Sequence, residues 1–260
     1  YSPTKVFEMM QHLHDTYGVK HIMFVDDLFL ASKVRVTELC NMILESGLKM
    51  TWSCTARVDT VKPGVLDLMK KAGCWEISFG LETGSNLLLK KMDKAADVEK
   101  SEQAVKWTYE AGIRTKGLFM LGFPGEDEET MAQTKDFIQR IPMTILNLTK
   151  FTPYPGSPIY RELYGTNIME DHWEKMNGMN FVWSPEGISV EKLDKEYQEI
   201  VSIFYKRPKI LFYYAKLSVL YPNHLYRLFR FGLGFLKSKI SSFLSGRGGL
   251  LVKPYETNLD

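Results

Sequence analysis

Apolar residues along the first 160 positions keep two rhythms, helical stripes and short apolar runs, and a glycine marks each change from the first to the second. Hung on those glycines, four stretches align: "YGVKHIMFVDD", "SGLKMTWSCTA", "AGCWEISFGLE" and "AGIRTKGLFML". Ahead of Gly47, the residues Val36, Leu39, Cys40 and Ile43 stand at the i, i+3, i+4, i+7 spacing of one buried stripe, with Ser32 placed to cap the helix. Ahead of Gly73 the stripe is Val65, Leu68, Met69 and Ala72, and Pro63 suits its first turn. Val6, Met10, Leu13 and Tyr17 repeat the pattern before Gly18, after a Ser2 and Pro3 start. Each glycine is expected to close its helix in the left-handed conformation. A fifth strand is expected near "TILNLTKFTPYPGSP". Helix, glycine, strand and loop recurring at roughly 25 to 40 residues indicate βα units and a parallel sheet. Right-handed crossovers then leave either a (β/α) barrel or an open doubly wound sheet. No G-x-G-x-x-G follows any strand, which disfavours a dinucleotide fold.

The polar residues gather at the strand ends. Asp26 and Asp27 follow the first strand, Arg57 and Asp59 the second, Glu82 and Ser85 the third; the fourth runs into "GFPGED" and the fifth into Thr152 and "PYPGSP". In a barrel these clusters converge on the C-terminal rim, where barrel active sites lie. Within "EISFGLETGS" a buried strand flanked by helices delivers Glu82 between two glycines, marking its exit from the core toward a shared pocket. Each cluster alone has a plainer reading. The Asp pair suits a turn, Arg57 with Asp59 a surface ion pair, and Glu126, Asp127 and Glu128 the N-terminus of the following helix.

Composition places the chain among ordinary globular proteins, 45% hydrophobic and 25% charged over 260 residues. No signal-peptide pattern or run of eighteen apolar residues is present, so a cytoplasmic protein is expected. The net charge of +2 hides an asymmetry, −6 over residues 1–200 and +8 over 201–260. Between Val201 and Tyr255 there is no acid, and ten basic residues interleave with "ILFYYAKLSVLY" and "LYRLFRFGLGFLKSKISSFL". That pattern reads as an interfacial membrane segment, a partner-binding helix or a pair packed back on the barrel, with nucleic acid less favoured. Cys40, Cys54 and Cys74 match no disulfide framework or zinc site and are expected as small buried hydrophobes. His12 and His14 point to different sides of one helix, and His21, His172 and His224 lack ligand-spaced neighbours. No nucleophile elbow or P-loop is present.

Taken together, "FVDDLF", "WSCTARVD", "MKKAGCWEISFGLETGS", "AGIRTKGLFMLGFPGED" and "TPYPGSPIY" resemble the radical S-adenosylmethionine (SAM) superfamily, in its cobalamin-dependent branch of magnesium-protoporphyrin oxidative cyclase-like enzymes. The resemblance implies an α/β fold: a partial (β/α)6 TIM-like barrel, here without its first strand, with a helical C-terminal extension. It implies that SAM lies across the strand ends. Asp26 and Asp27 then approach its methionyl amino group, Arg57 its carboxylate, and Glu82 with Ser85 its amino group or ribose hydroxyls. The backbone of Phe119, Gly122 and Pro124 forms the adenine-side wall. No ligand role passes to Glu126, because the family spaces its glycines and acid slightly differently from "GLFMLGFPGE".

The family holds a 4Fe-4S cluster on C-x3-C-x2-C, which none of the three cysteines fits. The resemblance therefore implies that the first strand, the cluster loop and any cobalamin domain belong to an upstream part of the same polypeptide. It implies cluster reduction of SAM, giving a 5′-deoxyadenosyl radical or, with cobalamin, a methyl-transfer cycle on a small-molecule or lipid-like substrate. The expected organisation is a barrel over 1–160, a helical extension closing it over 161–200, and the basic aromatic tail over 201–260. Two alternatives remain at this point. One is a non-catalytic degenerate barrel whose tail docks to a membrane or protein; the other is a tRNA-modifying, methylthiotransferase-like protein. Ile22 to Val25 is expected as an unpaired apolar sheet edge.

Overall fold

A computed structural model describes residues 1–26, 28–164 and 173–220. Asp27 and residues 221–260, which hold most of the expected tail, lie outside the described residues. The chain divides into two compact units, Tyr1–Lys206 and a second that begins at Arg207.

The first unit alternates helices and strands: α1 (Pro3–Tyr17), β1 (His21–Met23), α2 (Lys33–Ser46), β2 (Thr51–Ala56), α3 (Pro63–Lys71) and β3 (Cys74–Glu82). It continues through α4 (Asn86–Lys91), α5 (Val98–Glu110), β4 (Arg114–Leu121), α6 (Glu128–Arg140), β5 (Ile145–Lys150), α7 (Pro158–Tyr164) and α8 (Val190–Tyr205). The second unit contributes α9 (Pro208–Leu220). The strands form one parallel sheet in chain order, with Ile22 opposite Trp52, Cys54 opposite Ile77, Phe79 opposite Gly117 and Leu118 opposite Asn147. The sheet curls into a half-barrel, the α/β partial barrel that the sequence led us to expect.

The helices form where the caps are. Ser2 and Ser32 accept from the backbone N–H of Lys5 and Arg35, at 3.2 and 3.3 Å. The four aligned glycines all have positive φ. Gly73 has a second constraint, since a Cβ there would run into the Met50 carbonyl.

The stripe on α2 is buried as expected. On α3 Leu66 is buried, and Leu68 is only half-buried. On α1 only Met10 is buried and Tyr17 is exposed, because α1 packs mainly against α2. Likewise β1 is shorter than the apolar run, and Met23 and Val25 stand exposed at the sheet edge. Its outer row is anchored instead by Trp52, whose ring meets Phe24 and Phe29 and whose indole N–H donates to the Ala72 carbonyl at 2.8 Å.

The central strands alternate in burial, although a buried parallel strand is expected to be apolar throughout. On β3 and β4, Ile77, Phe79, Leu81, Thr115, Gly117, Phe119 and Leu121 are buried, while Ser78, Gly80, Lys116, Leu118 and Met120 are partly open. Helices cover the first set. The second lines the concave face of the half-barrel, and this one-sided cover decides where chemistry can occur.

Candidate functional site

At the end of β3 the register slips: Gly80 faces Leu118 and Glu82 faces Phe119, so a bulge inserts Leu81. Glu82 adopts φ 62°, a left-handed conformation that a side chain rarely takes. Its carboxylate folds back over Gly80, where a Cβ would come within 2.9 Å of Oε1. Lys94, just beyond α4, brings Nζ to 2.6 Å from the same oxygen. Nothing in the local sequence signals Lys94, which lies twelve residues away on the far side of α4.

Thr83 follows, buried, with its hydroxyl 2.9 Å from that of Thr134 on α6. Gly84 is required by that packing. A Cβ there would stand 2.5 Å from the Gln133 carbonyl and 2.7 Å from both Thr134 Cα and Phe137 Cβ. Ser85 is buried and opens on a cavity of about 400 Å³ among α4, α5 and α6, lined also by Glu99, Thr130, Asp136 and Arg140. That cavity includes neither Glu82 nor Arg57.

Arg57 leaves β2 as an exposed guanidinium and forks onto Asp59, Nε to Oδ1 at 3.0 Å and Nη2 to Oδ2 at 2.8 Å. The fork lowers the Asp59 carboxyl below its usual range, chiefly through the hydrogen bond, and raises the guanidinium in return. Asp26 is exposed and pairs with Arg35 at 3.4 Å.

The β4–α6 turn is closed from within. Gly122, at φ 90°, donates its N–H to Oε2 of Glu126, whose other oxygen is buried without a partner. Burial pushes the Glu126 carboxyl up to about 7 against the opposing effect of that hydrogen bond. Glu126 thus turns into the protein instead of serving the helix N-terminus, and Asp127 takes the cap, accepting from Thr130 N–H at 2.8 Å in a capping box. Pro124 is buried in this turn. The Phe119 side chain points outward onto Phe137, with ring centroids 6.1 Å apart, and its carbonyl accepts from the Thr149 hydroxyl at 3.0 Å. Leu88, Phe123 and Phe151 cluster beside this turn with Met120 and Trp183, giving the rim an apolar wall.

These residues suit a zwitterionic nucleoside ligand: a guanidinium for a carboxylate, an acid for an ammonium, and an apolar wall for a ring. They do not suit an iron–sulfur cluster. Cys40, Cys54 and Cys74 lie buried between the sheet and its helices, where burial pushes the Cys40 thiol up to about 12 and that of Cys74 well up. Among the described residues no group of three His, Cys, Asp or Glu could hold a metal ion.

The family model for the radical SAM superfamily matches residues 1–138. An uncharacterized methyltransferase of Pyrococcus horikoshii is 31% identical over 212 residues, covering 81% of this chain and 46% of the relative. The anaerobic magnesium-protoporphyrin IX monomethyl ester cyclase of Cereibacter sphaeroides is 27% identical over 216 residues, covering 82% of this chain and 35% of the cyclase. The chain therefore spans less than half the length of these relatives. In fold it is similar to the radical S-adenosylmethionine methyltransferase TsrM of Kitasatospora setae, solved with cobalamin and a [4Fe-4S] cluster. The TM-score is 0.52 at 20% identity, covering 57% of this chain and 31% of that one.

Proposed function

The chain belongs to the radical SAM superfamily, and from that premise we propose that its strand-end rim binds S-adenosylmethionine for a radical-based modification of a small-molecule or lipid-like substrate. Methylation and cyclisation are the outcomes that the names of its relatives favour. Held there, SAM would supply the reactive group. Because the described cysteines do not fit the family's cluster, we assign its ligands, and any cobalamin site, to the rest of a longer polypeptide. This chain's own residues position SAM.

The single observation that carries the reading is Glu82, held in a strained conformation at a bulge and folded over the concave face. Strain of about 1–3 kcal/mol persists where the surrounding structure over-determines it, commonly at ligand sites. In this reading the SAM ammonium replaces Lys94 on Glu82, and its carboxylate replaces Asp59 on Arg57. Asp26 adds negative potential near the ammonium, the turn of Gly122 and Pro124 with the backbone of Phe119 walls the adenine, and Ser85 supports the loop carrying Glu82.

SAM titration of the intact protein by calorimetry tests this. Glu82→Ala with Arg57→Ala is expected to weaken binding by about a hundredfold, two charge-assisted contacts at roughly tenfold each. Unchanged affinity overturns the assignment.

Peripheral membrane contact through 201–255 is a second proposal. It is supported by α9, which exposes Leu211, Phe212, Val219 and Leu220 beside Lys209 and Lys216. No helix among the described residues is long and apolar enough to cross a membrane. Cosedimentation with anionic liposomes is expected; no enrichment removes the proposal.

A further inference from the structure

Below the rim, the concave face carries a row of polar side chains that the SAM assignment does not use. Thr55 on β2 faces Ser78 on β3, and Ser78 faces Lys116 on β4. Asn147 of β5 stands one step along, opposite Leu118. All four lie on the open face: Thr55, Ser78 and Lys116 are half-buried and Asn147 is exposed. Outward neighbours fix this orientation, because Thr115, Gly117 and Phe119 pack against the helix layer. Among the described residues, none of these four side chains has a hydrogen-bond partner. Without protein partners and open to solvent on adjacent strands, these groups are free to meet a ligand.

Its charge is specific. The acids on the same face are already countered, Glu76 by Arg114 at 3.6 Å and Glu82 by Lys94. Among the described residues, Lys116 has no acid within ion-pair distance. Directly above, Leu118 and Met120 are half-buried on the same face, and Met120 joins the apolar rim cluster. From this juxtaposition we propose that Lys116, with Ser78 and Thr55, binds the carboxylate of the substrate, whose apolar body lies on Leu118 and Met120. The proposal rests on the concave face being the substrate side of the SAM site. One ammonium with two hydroxyls balances a single negative charge. A phosphate dianion calls for the guanidinium fork or backbone N–H nest that this row lacks.

The test uses two probes alike except for charge, 4-phenylbutyrate and its neutral amide, titrated into the intact protein by ligand-observed NMR. The acid is expected to bind about fivefold tighter than the amide, the ratio a partly desolvated single ion pair supplies. Lys116→Met is expected to abolish that ratio, and Lys116→Arg to keep most of it. Ser78→Ala with Thr55→Val is expected to reduce it by about half without touching the charge. Equal binding of acid and amide, no binding of either, or a ratio that survives Lys116→Met overturns the proposal. Displacement of the acid by inorganic phosphate at constant ionic strength overturns the carboxylate assignment. If SAM displaces the acid and Lys116→Met weakens SAM, then Lys116 belongs to the cofactor pocket and the subsite falls while the SAM reading stands. Loss of the SAM reading, seen with Glu82 and Arg57, leaves the acid-to-amide ratio measurable by itself.

Discussion

Lys94 Nζ sits 2.6 Å from Oε1 of Glu82, a pair that a ligand ammonium would displace in the proposed site. Lys94 is the more exposed partner and rides on a flexible stem, so it is the one able to leave. Removing it by Lys94→Ala is expected to tighten SAM binding about threefold to tenfold, since a competitor worth about 1 kcal/mol is gone. Calorimetry at two salt concentrations checks this; weaker binding would make Lys94 part of the ligand shell instead.

Glu82 is strained and Gly is at ease at φ 62°. Glu82→Gly is therefore expected to leave folding stability within about 1 kcal/mol of wild type, while SAM affinity drops at least tenfold. Thermal melting with and without SAM separates the two effects. A large loss of stability would mean that the Lys94 pair, rather than ligand binding, explains the acid.

Gly84→Ala forces a methyl group into the backbone of α6. Overpacking of this kind costs about 1–3 kcal/mol. Urea denaturation is the measure, and SAM affinity is expected to fall with it, because the same loop carries Glu82.

Glu126 gives stability a pH dependence of unusual sign. Its folded-state value is raised to about 7 from an ordinary 4.5, so the folded protein holds that proton more tightly than the unfolded chain does. The contribution is fully present below the unfolded value and is lost as pH rises through about 7; the full swing is on the order of 3 kcal/mol at most. Glu126→Gln keeps an acceptor for Gly122 and cannot ionise. Its stability curve is expected to be flatter between pH 5 and 8, and an unchanged slope would assign the dependence to other groups.

The βα alternation, the glycine stops and the stripe on α2 were legible because each is set by residues within one or two turns of one another. The gathering of polar residues at strand ends was legible for the same reason. What the sequence did not show depends on distant partners. Lys94 reaches Glu82 around α4, and Gly84 is required by α6, fifty residues on. Glu126 looks like a helix-start acid until the turn folds it onto Gly122, four residues back. The reading of β3 as covered on both sides failed because an apolar-looking run can hide small polar residues. Ser78 and Gly80 interrupt Ile77, Phe79 and Leu81 with period two, and a half-barrel uses that period.

One-sided helix cover separates heredity from chemistry along each strand. Positions facing the helices must keep their volumes, and alternate positions can change without disturbing the core. In a saturation-mutagenesis map of β3 and β4, tolerance should therefore flicker residue by residue, low at Phe79 and Phe119 and high at Ser78 and Lys116 when folding alone is scored. Scored for turnover, tolerance should fall at Ser78 and Lys116 as well, and the flicker should flatten. A scaffold organised in this way can acquire a new substrate through a handful of inward changes while its folding instructions stay the same.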